Sequence, residues 1–300
     1  MEKLQAALDK ARSERGLATQ ASAAVAAGRP GTVRGARDAD QMAGQTGPAG
    51  PMQAGAPATD AIRAAWAALG ELAPDRAHFA RRRLVALDQA PPAAPFDMLR
   101  TRVRQMMGMN GWRRLAITSP DQGCGKTTLS INLALSFARQ VELRTILYDC
   151  DLRRPTLART LGLPRDRSRG MAELLLGEAS FAETALRIGP SLATVSAVST
   201  FPGSAELLQS QSAAESLARI EADYAPEIEI FDLPPLLACD DTMGFLGRVD
   251  CALLVVEADV TSLEAIDRCE RELAERTHVL GVVINKNRFE ESSDRKSYYY

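Results

Sequence analysis

Thr118-Ser119-Pro120-Asp121-Gln122-Gly123-Cys124-Gly125-Lys126-Thr127-Thr128 lies between the apolar run Leu115-Ala116-Ile117 and the helical run Leu129–Gln140. Strand, glycine-bearing turn and helix start, in that order, make a phosphate-binding loop. Glycines at 123 and 125 let the backbone N–H groups turn inward on phosphates, and the helix N-terminus adds a partial positive charge. Lys126 is placed to reach the β- and γ-phosphates of a nucleotide, and the Thr127 hydroxyl to join a Mg²⁺ shell. Cys124 and Thr128 complete the cradle. Only five lysines occur in the chain, at 3, 10, 126, 286 and 296, so one falling here by chance is improbable. The general motif asks for glycine at 120, where Pro120 stands, so the loop is a variant. The Cys124 thiol reads either as a redox switch or as a small side chain turned away.

A metal and an attacking oxygen need carboxylates at the ends of neighbouring strands. Ile146-Leu147-Tyr148-Asp149-Cys150-Asp151-Leu152-Arg153 ends a strand in two aspartates on one side of an extended chain. Ile228-Glu229-Ile230-Phe231-Asp232 ends another before Leu233-Pro234-Pro235. Any one of these aspartates alone reads as a turn or cap residue; three closing apolar strands, in a chain with the loop, read as a site. Arg153 stabilises phosphoryl charge or caps the strand end by a salt bridge. Further apolar runs stand at 252–256 and 279–284. Near-continuous apolar strands alternating with helical patterns predict a doubly wound, mostly parallel α/β sheet over 95–290 carrying a P-loop NTPase site; the variant loop resembles that of the MinD/ParA proteins.

Outside that domain, residues 2–15 carry Leu4, Ala7, Leu8 and Ala11 at helical spacing, so a short amphipathic helix is expected over 1–15. Residues 16–60, rich in Ala, Gly, Pro, Gln and Thr, are expected as a disordered linker. A helical, arginine-rich connector is expected over 61–94, and a flexible tail over 291–300. Nine arginines from Arg76 to Arg114, against Asp88 and Asp97, are a solvated face or a docking surface.

The chain has 300 residues, formal charge −2, and 46% hydrophobic content. That gives no general case for nucleic acid or an anionic membrane. Five cysteines without a C-x-x-C pair suit a reducing compartment. No signal-peptide run and no stretch of about 18 apolar residues is seen, so a cytoplasmic protein is expected. His78 and His278 stand far apart in sequence, without nearby cysteine, and support neither zinc nor a Ser-His pair.

These residues resemble the bacterial tyrosine kinases of capsule and exopolysaccharide synthesis. SPDQGCGKTT is similar to that family's Walker A, LYDCDLRRP to its Walker A′, and IFDLPPLL to its Walker B. The likeness continues through Gly203–Leu208, Asp241 and Gly281–Lys286. It implies a tyrosine autokinase that uses ATP and Mg²⁺ and acts in trans on a C-terminal tyrosine cluster. The chain ends Ser297-Tyr298-Tyr299-Tyr300, three of its five tyrosines. Under this resemblance Lys126 and Thr127 hold phosphates and metal, Asp151 and Asp232 order Mg²⁺, and Asp149 accepts the tyrosine proton. Asn285 contacts the nucleotide or forms a turn. A separate membrane-embedded chain-length regulator, a homo-oligomer, a counteracting phosphatase and recruitment to the inner face of the plasma membrane are also implied.

Two departures are visible. Family members commonly carry E-x-x-R-x-x-R, used to build a ring; Ala94-Pro95-Phe96-Asp97-Met98-Leu99-Arg100 keeps only the last arginine. The tyrosine cluster is also short. Two other classes share the loop: a ParA/MinD-type positioning ATPase and a nucleotide-gated scaffold without kinase activity. The former places a signature lysine where Asp121 stands, and the latter does not need three carboxylates.

Overall fold

A computed structural model describes residues 56–164 and 166–287. The helix expected over 1–15, the linker up to residue 55 and the tail over 291–300 lie outside these residues. Where the linker was expected to run to 60, a helix already starts at Ala56 and continues to Ala67.

Eight strands form one sheet: β1 Gly70–Glu71, β2 Arg114–Thr118, β3 Thr145–Asp149, β4 Ala185–Ile188, β5 Leu192–Val195, β6 Ile228–Asp232, β7 Cys251–Glu257 and β8 His278–Asn285. Their order is β1-β4-β5-β3-β6-β2-β7-β8. Neighbours run parallel except β4 and β5, an antiparallel hairpin. From β2 the chain winds outward in both directions. A crevice therefore opens at the carboxyl end of β2, where sheets of this kind bind ligands.

Strand residues alternate between two cores. Ile146, Tyr148, Phe231, Ala252 and Leu254 point to one face, and Leu115, Ile117, Leu147, Ile230, Leu253 and Val255 to the other. Helices cover both faces, which is why these strands are apolar without a polar side. Helix Lys126–Ala138 is buried along nearly its whole length. Its polar side chains find partners inside: Ser130 Oγ donates to Lys126 O (2.9 Å), and Ser136 Oγ to Asp97 Oδ1 (2.6 Å).

Residues 61–94 were expected as a helical connector. Beyond Ala67 they form instead a strap with a two-residue strand, the helix Arg76–Arg81 and the 3₁₀ turn Pro91–Ala93. Trp66 and Leu69 enter one core; Phe79, Leu84, Ala86 and Ala93 enter the other. The indole Nε1 of Trp66 donates to Tyr224 O at 2.8 Å, with its ring edge-on to Tyr224. Asn132 clasps the strap from helix Lys126–Ala138. Its Oδ1 accepts from Val85 and Ala86 N–H (2.8 and 3.0 Å), and its Nδ2 donates to Arg83 O and Thr128 O (3.0 and 2.8 Å).

Part of the arginine-rich stretch is paired within the chain. Arg76 pairs with Asp88, and Arg114 with Glu221 and Glu229 (3.0 and 3.1 Å). Asp97, in the degenerate E-x-x-R-x-x-R segment, is engaged inside the chain by Arg139, Arg100 and Ser136.

Candidate active site

β3, β6 and β2 lie side by side, with Asp149 opposite Asp232 and Asp232 opposite Ile117. The register alone brings both carboxylates to the strand from which the loop springs. Gly123 and Gly125 have φ of 94° and 89°, left-handed values that a side chain disfavours. A Cβ on Gly125 would collide with the Asn285 amide. That amide donates from Nδ2 to Cys124 O (2.8 Å), while its Oδ1 accepts from Lys286 N–H (2.9 Å). Asn285, expected as a nucleotide contact or a turn former, thus ties the cradle to β8. Thr128 meets Asn132 through its carbonyl.

Lys126, Thr127, Asp151 and Asp232 come together. Lys126 Nζ donates to Asp151 Oδ2 at 2.8 Å. Thr127 Oγ1 donates to Asp232 Oδ2 at 2.6 Å, and Ser130 Oγ to Asp232 Oδ1 at 3.1 Å. All four are buried. Burial alone would lower the Lys126 pKa; Asp232, Asp151 and Asp149 outweigh it and hold the ammonium above its ordinary value. Burial raises Asp232, offset in part by Lys126 and the Thr127 hydroxyl.

Asp149 is fully buried, and neither carboxylate oxygen has a hydrogen-bond partner. Burial, then the charge of Asp232, pushes its pKa well up; Lys126 opposes, and the Ala197 amide does so weakly from outside hydrogen-bond geometry. A buried carboxylate without a partner beside a glycine turn fits a site built to receive a cation. Among the described residues no three or more His, Cys, Asp or Glu form a metal cage. The Thr127 hydroxyl with Asp151 and Asp232 instead offers hard oxygens to a cation that keeps phosphate and water ligands, as Mg²⁺ does.

Arg153 Nε donates to Asp241 Oδ2 at 2.6 Å, and its NH2 lies 3.4 Å from Asp240. It also lines a cavity of about 240 Å³ with Gln122, Asp151, Arg154, Pro234 and Pro235. Cys124 is buried and forms no disulfide. Tyr298, Tyr299 and Tyr300 lie outside the described residues. Of the other two tyrosines, Tyr148 is fully buried, stacked on Phe231 with its hydroxyl donating to Glu229 (3.0 Å).

Three residues near the site were not anticipated. Ser130 stands one turn beyond Lys126 on the same helix face, a spacing the sequence offers. Thr156 Oγ1 donates to Thr127 Oγ1 (3.2 Å), and Arg154 bonds Gln122 across the cavity; neither has a local signal, because the contact depends on how loops meet.

The CobQ/CobB/MinD/ParA nucleotide binding domain family matches over residues 115–298. The tyrosine-protein kinase YwqD of Bacillus subtilis is 31% identical over 185 residues, covering 61% of this chain and 76% of that protein. The putative tyrosine-protein kinase EpsB of Ralstonia nicotianae is 31% identical over 198 residues, 65% of this chain and 26% of EpsB. The chain therefore spans about a quarter of one relative and three quarters of the other. The solved VpsO kinase domain aligns with a TM-score of 0.58 at 29% identity, over 65% of this chain and 94% of that one.

Proposed function

We infer the reaction from one premise: the chain belongs to the bacterial protein-tyrosine kinases built on the CobQ/CobB/MinD/ParA nucleotide-binding domain. It transfers the γ-phosphoryl group of ATP to tyrosine hydroxyls, with Tyr298, Tyr299 and Tyr300 of a second copy as acceptors. The observation that carries this reading is the pairing of Lys126 with Asp151 and of Thr127 with Asp232 at the ends of neighbouring strands, with Asp151 also lining the cavity.

In this reading the loop amides from Gly123 to Thr128 and the Lys126 ammonium bind the β- and γ-phosphates. Lys126 exchanges its bond to Asp151 for phosphate oxygen. Thr127, Asp151 and Asp232 would hold Mg²⁺, which when bound neutralises charge on the phosphates. Asp149 in its ionised form, which its buried surroundings make a stronger base than an exposed carboxylate, takes the tyrosine proton as the oxygen attacks. Arg153 contributes positive charge at the cavity.

No described helix is long and apolar enough to cross a membrane. A separate membrane-embedded chain-length regulator recruits the chain to the inner face of the plasma membrane, and a phosphatase reverses the modification. Phosphorylation thereby regulates polysaccharide synthesis and export, with the chain acting as a homo-oligomer.

The test is incubation of the full chain with Mg-ATP and mass spectrometry of its C-terminal peptide. Phosphate appears on Tyr298–Tyr300 and is lost in Lys126→Met, by at least about a hundredfold. Wild type restores it on Lys126→Met protein when the two are mixed. Unmodified tyrosines in wild type, alone and with the membrane partner, would remove the proposal.

A further inference from the structure

Gly203–Leu208 and Asp241, similar to the kinase family in sequence but so far without a task, meet in three dimensions beside Arg153. Asp241 opens the short helix Asp241–Phe245 and is fully buried. Its Oδ1 accepts from the hydroxyl of Ser204, the first residue of helix Ser204–Gln209. Its Oδ2 accepts from Arg153 Nε at 2.6 Å. A buried carboxylate is tolerated when its oxygens are matched by donors, and here each oxygen has one.

Gly244 packs closely against the Gln209 side chain, which a Cβ there would have to displace, so helices Asp241–Phe245 and Ser204–Gln209 lie in contact. Thr242 Oγ1 and Thr118 Oγ1 both donate to Pro234 O, at 2.7 Å each. Asp241 is thereby referenced to the segment leaving Asp232 and to the strand that feeds the phosphate loop. Arg153 is half exposed and lines the cavity together with Asp151. With Nε held by Asp241 and NH2 in only a long contact with the exposed Asp240 (3.4 Å), the terminal nitrogens can take up a planar or tripodal anion in exchange for that weak surface contact.

We propose that Asp241 and Ser204 are positioning residues for phosphoryl transfer, holding Arg153 so that its terminal nitrogens meet the oxygens of the phosphoryl group between donor and acceptor. The assignment rests on the kinase reading. Arginines that meet a phosphoryl group in flight act on the transition state and not on ground-state binding. Loss of aim should therefore appear in kcat.

The experiment compares Ser204→Ala and Asp241→Asn, each alone and combined with Arg153→Ala. Tyrosine phosphorylation kinetics, affinity for a fluorescent ATP analogue and thermal unfolding are measured on the full chain. Ser204→Ala removes one donor while keeping the Asp241–Arg153 ion pair, and so guards against a folding defect in Asp241→Asn. Each single variant lowers kcat by about tenfold or more, leaves nucleotide affinity within about twofold, and has no further effect once Arg153 is alanine. Losses that multiply with Arg153→Ala, or that follow melting temperature or nucleotide affinity instead of kcat, overturn the assignment. Wild-type protein that leaves tyrosine unmodified sinks the kinase reading alone. The same variants are then read by ATP hydrolysis, where unchanged rates overturn the positioning role.

Discussion

Among the described residues the Asp149 carboxylate oxygens have no partner in hydrogen-bond geometry, an arrangement that disfavours the folded state and makes sense beside a bound cation. Asp149→Asn should raise the stability of the nucleotide-free protein by about 1–3 kcal/mol, seen as a rise of several degrees in Tm, while tyrosine transfer falls at least about a hundredfold. The pH dependence has a definite sign. Burial and Asp232 place the folded pKa above the unfolded one, so the wild-type side chain costs stability increasingly as pH rises through the folded value. The asparagine variant therefore gains least in acid and most above that value. Gly125 is constrained twice, by its φ of 89° and by the Asn285 amide. Gly125→Ala should weaken nucleotide binding at least about tenfold, since a left-handed alanine costs roughly 1–2 kcal/mol before the collision is counted. Adding Asn285→Ala removes the collision but not the backbone strain, so titration with a nucleotide analogue should show partial recovery.

Helix Lys126–Ala138 joins the site to the strap that precedes the domain, and Asn132 is the joint. Asn132→Ala leaves the N–H groups of Val85 and Ala86 and the carbonyl of Arg83 without this partner. A loss of about 2–4 kcal/mol in urea unfolding is expected, with amide exchange at 85–86 accelerating first. Nothing in the sequence around Asn132 announces this clasp, because its partners lie 46 to 49 residues away. By contrast β2, β3, β6 and β7 were legible, since each is an apolar run long enough to be buried on both faces, and β8 was legible from the same apolar run although it is only half-buried. β5 was not, although all four of its residues are buried, because Ala193 and Thr194 dilute the run below what pattern reading detects. β1 and β4 are shorter or mixed with polar residues. The loop and the three carboxylates were readable because the chemistry demands their types at strand ends; Thr156 and Ser204 enter through loop and helix docking, which no local spacing encodes.

At the scale of the molecule, the catalytic unit begins earlier than its motifs suggest. A chain cut to begin at residue 95 would lack Trp66, Leu69, Phe79, Leu84 and Ala86, which fill both cores, and would expose the Tyr224 and Phe181 pair. Such a truncation should melt lower than the full chain by at least about 10 °C and bind a hydrophobic dye. Equal melting temperatures would show the strap to be dispensable. The strap also gives the protein its own optical reporter. Only two tryptophans are present; Trp66 is sealed against Tyr224, while Trp112 rests on the His278 ring with centroids 4.7 Å apart. Intrinsic fluorescence will accordingly separate two events by colour: the blue emission of Trp66 moves red when the strap lifts, and the intensity of Trp112 changes when the outer edge of the sheet loosens.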